Sequence, residues 1–173
     1  RVRIALCALA NERNQTPLIR PLAEAILADA RVLGLPLLQS MGHIWLAHAD
    51  LAVDEPAAAI EQFQSALQLL RALDERPRVA ETLTNLSCVL IEQGRVDESR
   101  PLLVEALALY RAADNLWGQG FAQSTLGEAA MVSGDLAGAL QHAQAALGLH
   151  RQLQHQHRLD YSLLQCATML LRL

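Results

Sequence analysis

The sequence predicts an all-α fold, a right-handed superhelical solenoid of antiparallel helix pairs with about nine helices. Three observations predict it. First, the 173 residues include 35 Leu and 29 Ala, while aromatics make up 3%. That composition suits closely packed helices and lacks the Val, Ile, Thr and aromatic content of β-sheet. Second, the chain repeats itself every 40 residues without insertion. Leu46, Leu86 and Leu126 align, as do Ala66, Ala106 and Ala146, then Leu67, Leu107 and Leu147, then Leu69, Leu109 and Leu149, then Arg71, Arg111 and Arg151. One step earlier stand Leu6, Ile26, Leu27 and Arg31, and one step later Cys166 and Ala167. Third, each unit is broken in its middle and at its end by turn residues. A single helix pair cannot bury its own apolar face, whereas stacked pairs bury a continuous core and leave a concave groove.

Taken in order, the units span about 1–34, 35–76, 77–116 and 117–156, with a final helix over 157–173, all in one domain. Gly34-Leu35-Pro36 closes the first unit. In the second, Asp54-Glu55-Pro56 separates two helices, and Pro56 suits a first helical turn. Asp74-Glu75-Arg76-Pro77 closes that unit. In the third, apolar residues at 79, 80, 83, 86, 90 and 91 keep a helical period over Val79 to Gln93. Gly94 breaks the pattern, Asp97 is placed to cap, and residues 99–113 resume with Leu102, Leu103, Ala106, Leu107, Leu109 and Tyr110. Asp114-Asn115 ends the unit, and Gly134-Asp135 divides the fourth. The boundary at 154–157 carries neither Gly nor Pro. In the last helix Leu163, Leu164, Cys166, Ala167, Met169, Leu170, Leu171 and Leu173 leave almost no polar face. A terminal helix should be polar outside, so this one is expected to lie under another helix or to mediate self-association.

Composition excludes several function classes. The net charge of −4 and the absence of Lys argue against direct nucleic-acid binding. No run approaches ~18 apolar residues, so no membrane span is expected. The chain opens at Arg1, without Met or a signal peptide, and reads as a segment of a longer protein. Cys7, Cys88 and Cys166 are odd in number and widely spaced, neither a disulfide framework nor a zinc signature. They read as helical thiols in a cytoplasmic protein.

No chemistry emerges from the polar residues. His142, His150, His155 and His157 stand at spacings that do not bring them to one metal, and they are expected on a solvated surface. Ser124, Thr125, Glu128 and His48 come from different units and lack a nucleophile elbow or a Gly-rich phosphate loop. Arg76, Pro77 and Arg78 make a small basic turn. The sequence therefore predicts no enzyme, no catalytic residue, no cofactor and no metal.

The third unit, Leu83-Thr84-Asn85-Leu86-Ser87-Cys88-Val89-Leu90 with Gly94, Ser99, Leu103 and Ala106, resembles a tetratricopeptide repeat. So does the fourth, with Leu126-Gly127, Gly134, Ala139 and Ala146, and the second, with Leu46-Ala47, Ala59, Phe63 and Ala66. HEAT repeats also have periods near 40, but the small residues fit the tetratricopeptide pattern. The usual period is ~34, with Pro ending the second helix. Arg31, Arg71, Arg111 and Arg151 occupy that place here, so the second helix can run on to ~18 residues, or ~27 Å. The 40-residue variety, rich in Leu, Ala and Arg, is similar to repeats in large bacterial regulators of the maltose-activator-like and LuxR types.

The resemblance implies that the first helix of each pair lines the concave groove. The implied groove residues are Met41, Ile44, His48 and Leu51 in the second unit. The third supplies Glu81, Thr84, Asn85, Cys88 and Ile91, and the fourth Phe121, Ser124, Glu128 and Met131. Asn85 stands where family members hold a peptide backbone; it could equally tie adjacent helices together. Without a set of Lys or Arg the groove does not suit an acidic C-terminus, and Glu81 and Glu128 favour a neutral or basic segment. The expected function is a protein- or peptide-binding module of a bacterial regulatory or signalling protein. The alternative is an inducer-sensing domain that binds a small molecule and controls self-association, which would need a closed pocket with convergent polar groups.

Overall fold

The computed structural model describes residues 2–13 and 15–153. Among them are eight α-helices and one short 3-10 helix, and no strand. They run α1 Val2–Glu12, the 3-10 turn Thr16–Leu18, α2 Ile19–Val32, α3 Pro36–Leu51, α4 Pro56–Ala72, α5 Arg76–Glu92, α6 Val96–Ala112, α7 Leu116–Val132 and α8 Leu136–Gln152. The expected helix over 157–173 lies outside the described residues, together with Cys166, His155, His157 and the apolar end expected to self-associate. Two compact units are distinguished, one ending at Thr82 and one beginning at Leu83, so the division falls inside α5.

From α3 onward the helices start at 36, 56, 76, 96, 116 and 136. This regular step has one local cause. Residues Gly34, Asp54, Asp74, Gly94, Asp114 and Gly134 all have positive φ, between 49° and 82°. Each reverses the chain after a helix, and the next amide bonds back to a carbonyl in the last turn. Leu35, Glu55, Glu75, Arg95, Asn115 and Asp135 donate to the carbonyls of Ala30, Asp50, Leu70, Leu90, Tyr110 and Ala130 at 2.8–3.0 Å. This pattern satisfies orphan carbonyls at the helix end. Three of the six positions carry Asp, which tolerates the left-handed conformation less well than Gly. We therefore expect Asp54→Gly with Asp114→Gly to raise stability by about 0.5 kcal/mol per site. A urea titration checks this; a lower midpoint for the double variant would contradict the strain argument.

The helix starts differ from the sequence reading at two places. Helix α5 begins at Arg76 rather than Val79, because Pro77 is accommodated in its first turn, where no intrahelical N–H is needed. Helix α6 begins at Val96 with Arg95 as its flanking residue. Asp97 lies inside its first turn beside Glu98, where the helix dipole favours acids, and does not cap. The side chains of Asn115 and Asp135 do cap α7 and α8, accepting from the amides of Gly118 and Gly138 at 2.9 Å. The second helices α4, α6 and α8 each have 17 residues, with Arg71, Arg111 and Arg151 in their last turns.

In the first unit α1 packs on α2, α2 on α3 and α3 on α4. Ile19, Ala23, Ile26, Leu27, Ala30, Ala59, Phe63, Ala66 and Leu70 form its interior. In the second unit α6 packs on α7 and α7 on α8. Leu83, Leu86, Leu103, Ala106, Ala139, Ala143 and Ala146 are buried there. The small residues that recur at these registers let backbones approach, and Leu fills the gaps.

Helix pairs are also clasped by polar bonds that recur at the same register. His43 Nδ1 of α3 lies 2.7 Å from Gln62 Oε1 of α4. His142 Nδ1 of α8 lies 2.7 Å from Gln123 Oε1 of α7. The two pairs are 80 residues apart, with the His and Gln exchanged between first and second helix. In both the amide oxygen accepts and Nδ1 carries the proton. At the intervening register the pair is Leu83 and Leu102.

Candidate functional site

The implied groove residues belong to α3, α5 and α7. In the second unit, Cys88 Sγ of α5 lies 3.9 Å from Thr125 Oγ1 of α7, and Thr125 Oγ1 donates to the Phe121 carbonyl at 3.1 Å. The first helices of successive pairs are thus neighbours. Asn85 and Cys88 on α5, and Phe121, Glu128 and Met131 on α7, are half-buried, leaving part of each side chain accessible. Thr84, Ile91 and Ser124 are buried. These three form wall rather than surface, because the pitch of the helix turns them toward its neighbours. Among the described residues the buried Ser124 hydroxyl has no hydrogen-bond partner. In the first unit Met41, Ile44, His48 and Leu51 of α3 are half-buried, and Glu81, early in α5, is exposed.

The electrostatics of these residues argue against covalent chemistry. Burial raises the pKa of the Cys88 thiol, the Thr125 hydrogen bond lowers it and the carboxylates of Glu128 and Glu92 raise it, for a net value of about 11. The thiol is therefore protonated near neutral pH and a poor nucleophile. Cys7 is buried, and burial raises its pKa too. His48 lies between two aromatic rings, 5.6 Å from Trp45 and 5.7 Å from the edge-on ring of Phe63. Desolvation there lowers its pKa, so its ring is neutral near pH 7.

Two of the four clustered histidines depart from the solvated surface expected for them. His150 is buried against the backbone of Gly120, where a Cβ would lie 2.5 Å from its Nε2. Its register explains this, since Ala30, Leu70 and Tyr110 occupy the same position and are core. His142 is half-buried and held by Gln123. Burial, assisted by Arg100, lowers its pKa, while Asp135 acts in the opposite sense. Among the described residues no three His, Cys, Asp or Glu side chains converge as for a metal, and no helix is long and apolar enough to cross a membrane.

The sequence reading missed Trp117 and Glu92, and it named Thr125 only in an acid–base set that it rejected. Trp117 is 37% exposed, and its ring lies 5.6 Å from that of Phe121, one turn later on α7. Glu92 is one turn after Cys88 on α5. Helical spacing of three or four from residues already singled out was the available signal. A cleft of about 390 Å³ in the first unit is lined by Leu6, Leu9, Ala10, Gln15, Leu18, Pro21 and Leu22. Gln15 is the single polar side chain of that lining, too few polar groups to orient a small inducer.

Comparison with known proteins supports the tetratricopeptide reading. Residues 39–112 match the tetratricopeptide repeat pattern. The chain's fold is similar to that of BtubC from P. vanneervenii, with a TM-score of 0.83 at 19% identity, covering 96% of this chain and 70% of that one. It is also similar to a putative kinesin light chain with nearly identical TPR-like repeats from Podospora anserina, with a TM-score of 0.72 at 17% identity, covering 99% of this chain and 91% of that one. Both likenesses extend the tetratricopeptide-like solenoid class beyond the matched segment. In sequence, 101 residues are 30% identical to the regulatory protein AfsR of Streptomyces coelicolor. That match takes in 58% of this chain and spans a tenth of the length of the regulator.

Proposed function

We propose that this tetratricopeptide chain is the protein- or peptide-binding segment of a larger bacterial regulatory protein, and that α5 and α7 carry the face that contacts the ligand. The observation that carries this reading is the juxtaposition of α5 and α7 through Cys88 and Thr125. It places Asn85, Cys88, Phe121 and Glu128, each partly accessible, on neighbouring first helices. The mix of an aromatic ring, an amide and a carboxylate is that of a recognition surface, where a few anchors carry most of the binding energy. Catalysis forms no part of the reading. The likeness to AfsR supports a regulatory setting, and the chain's acidity supports a protein partner over nucleic acid.

The test is a selection of random peptides displayed on phage against the whole chain, followed by solution affinities for the peptides recovered. Asn85→Ala combined with Glu128→Ala is expected to weaken binding by about tenfold or more, with helicity unchanged by circular dichroism. Peptides that bind the double variant as tightly as the parent would place the ligand elsewhere.

A further inference from the structure

The outer side of α2 differs from that of the later second helices. Leu18, Pro21, Ala25, Ala28 and Val32 follow one another at spacings of three, four, three and four, the heptad seam along which one helix packs on another. Four of the five are exposed and Ala25 is half-buried. The same register reads Ala58, Glu61, Ser65, Gln68 and Ala72 on α4, and Glu98, Pro101, Glu105, Ala108 and Ala112 on α6. Those seams carry the polar side chains of a solvated face, and the seam of α2 carries none. At its start the seam runs into the apolar cleft, whose wall includes Leu18, Pro21 and Leu22 with Leu6 and Leu9 of α1. At its end Val32 and Leu33 project, 87% and 63% exposed. One helix thus has a concave apolar end and a convex apolar end, about 20 Å apart.

The charges bordering the seam select its partner. Glu24 and Arg31, both exposed, stand on one border, each immediately before a seam residue. Let two copies of α2 run antiparallel, with Ala25 of one against Ala28 of the other. Pro21 then meets Val32, and Glu24 of each copy falls between the same two layers as Arg31 of its neighbour. Convex end meets concave end twice in the same step. A parallel pairing would instead bring Glu24 toward the neighbour's Asp29, acid against acid. The other charges of the helix are engaged within the chain, Asp29 with Arg3 and Arg20 with Asp50 at 2.7 Å. Such a face is complementary to itself about a twofold axis, the condition for an isologous contact.

Going beyond ligand binding, we propose that two copies of this chain associate through α2. The helices lie antiparallel about a twofold axis between Ala25 and Ala28. Val32 of each copy sits at the cleft mouth formed by Leu18, Pro21 and Leu22 of the other, and Glu24 pairs with Arg31 across the border. A contact about four helical turns long is at the small end of specific interfaces, so the dimer is expected to form over the micromolar range.

Sedimentation equilibrium of the whole chain over a concentration series tests this, with a monomer–dimer equilibrium expected. Val32→Glu should weaken dimerisation at least about tenfold, because it sets a charge in an apolar mouth at two equivalent places. Val32 lies outside the core, so the urea midpoint should stay unchanged. Glu24→Arg and Arg31→Glu should each weaken dimerisation by about tenfold, since each turns two attractions into two repulsions. An equimolar mixture of these two variants recovers both opposite-charge pairs, and should form a heterodimer about as tight as the parent. A parent chain that stays monomeric into the millimolar range would overturn the inference. So would a dimer indifferent to Val32→Glu, as one formed through residues 157–173 would be, or a mixture that associates no more tightly than its components. The phage selection reads the α5–α7 face separately, so the two proposals stand or fall apart.

Discussion

Arg20→Met is expected to lower the stability of the first unit by about 2–3 kcal/mol, whereas Arg20→Met combined with Asp50→Leu is expected to restore it. The argument starts from burial. The Asp50 side chain is 4% exposed, and its Oδ1 lies 2.7 Å from Nη2 of Arg20. Arg20 also approaches Glu55 at 4.0 Å, but that acid is in solvent and cannot substitute. Removing the guanidinium leaves a carboxylate in the interior without its cation, a change that costs about 3–5 kcal/mol when both partners are buried. Arg20 is 41% exposed, so water supplies part of the lost solvation and the figure falls toward the lower end. The double variant removes the charge itself. At the register of Asp50 the other units carry Ala10, Leu90 and Ala130, all buried. Leu is therefore a side chain this position accommodates in a neighbouring repeat. Urea unfolding of the two variants, monitored by Trp45 fluorescence for the first unit, decides between the outcomes. If the double variant were as unstable as the single one, the pair would matter through packing and not through charge.

Asp50 shows what the sequence made legible and what it did not. The 40-residue register is a one-dimensional signal, and it predicts the helix pairs because turn chemistry recurs at fixed positions. The same register, once the structure shows which positions are core, accounts for the burial of Asp50 and of His150, which the sequence reading had expected in solvent, since their equivalents are Ala, Leu and Tyr. Their partners could not be read in the same way. Arg20 lies 30 residues from Asp50. Gln123 lies 19 residues from His142, and nothing in the local sequence distinguishes it from a surface glutamine. Polar contacts between helices depend on rotation of each helix about its axis to within a fraction of a turn. An apolar stripe leaves that rotation loose, and the polar pairs then fix it. The same looseness explains the groove. First-helix positions were assigned through family resemblance, so Asn85, Cys88, Phe121 and Glu128 were placed on partly accessible helix faces. Thr84, Ile91 and Ser124 were included although a small rotation turns them inward. Trp117 was passed over because it sits one turn before the family's groove positions, in a place where the turn geometry decides exposure.

Glycine replacements inside helices provide a sharper test of that packing, because one chemical change is expected to have opposite signs at two sites. In an isolated helix Gly→Ala stabilises by about 1 kcal/mol. At Gly148, on α8, a new Cβ would meet nothing within 4 Å, so Gly148→Ala is expected to realise most of that gain. At Gly118, in the first turn of α7, the same Cβ would lie 2.2 Å from Cδ1 of the Tyr110 ring. Tyr110 is buried on α6, and an aromatic ring moves as a rigid plate with no flexible end to swing aside. Relief requires the ring to leave its rotamer or α7 to move away from α6, and overpacking of that kind costs about 1–3 kcal/mol, with more where the backbone must shift. The clash outweighs the propensity gain, and Gly118→Ala is expected to destabilise the second unit by about 2 kcal/mol net. Trp117, adjacent to the site, reports the unfolding of this unit, so midpoints for the two variants can be compared with the parent in one titration. A stabilised Gly118→Ala would mean that α6 and α7 are farther apart than the Tyr110–Gly118 contact requires, and the α5–α7 face built on the same helix would have to be redrawn.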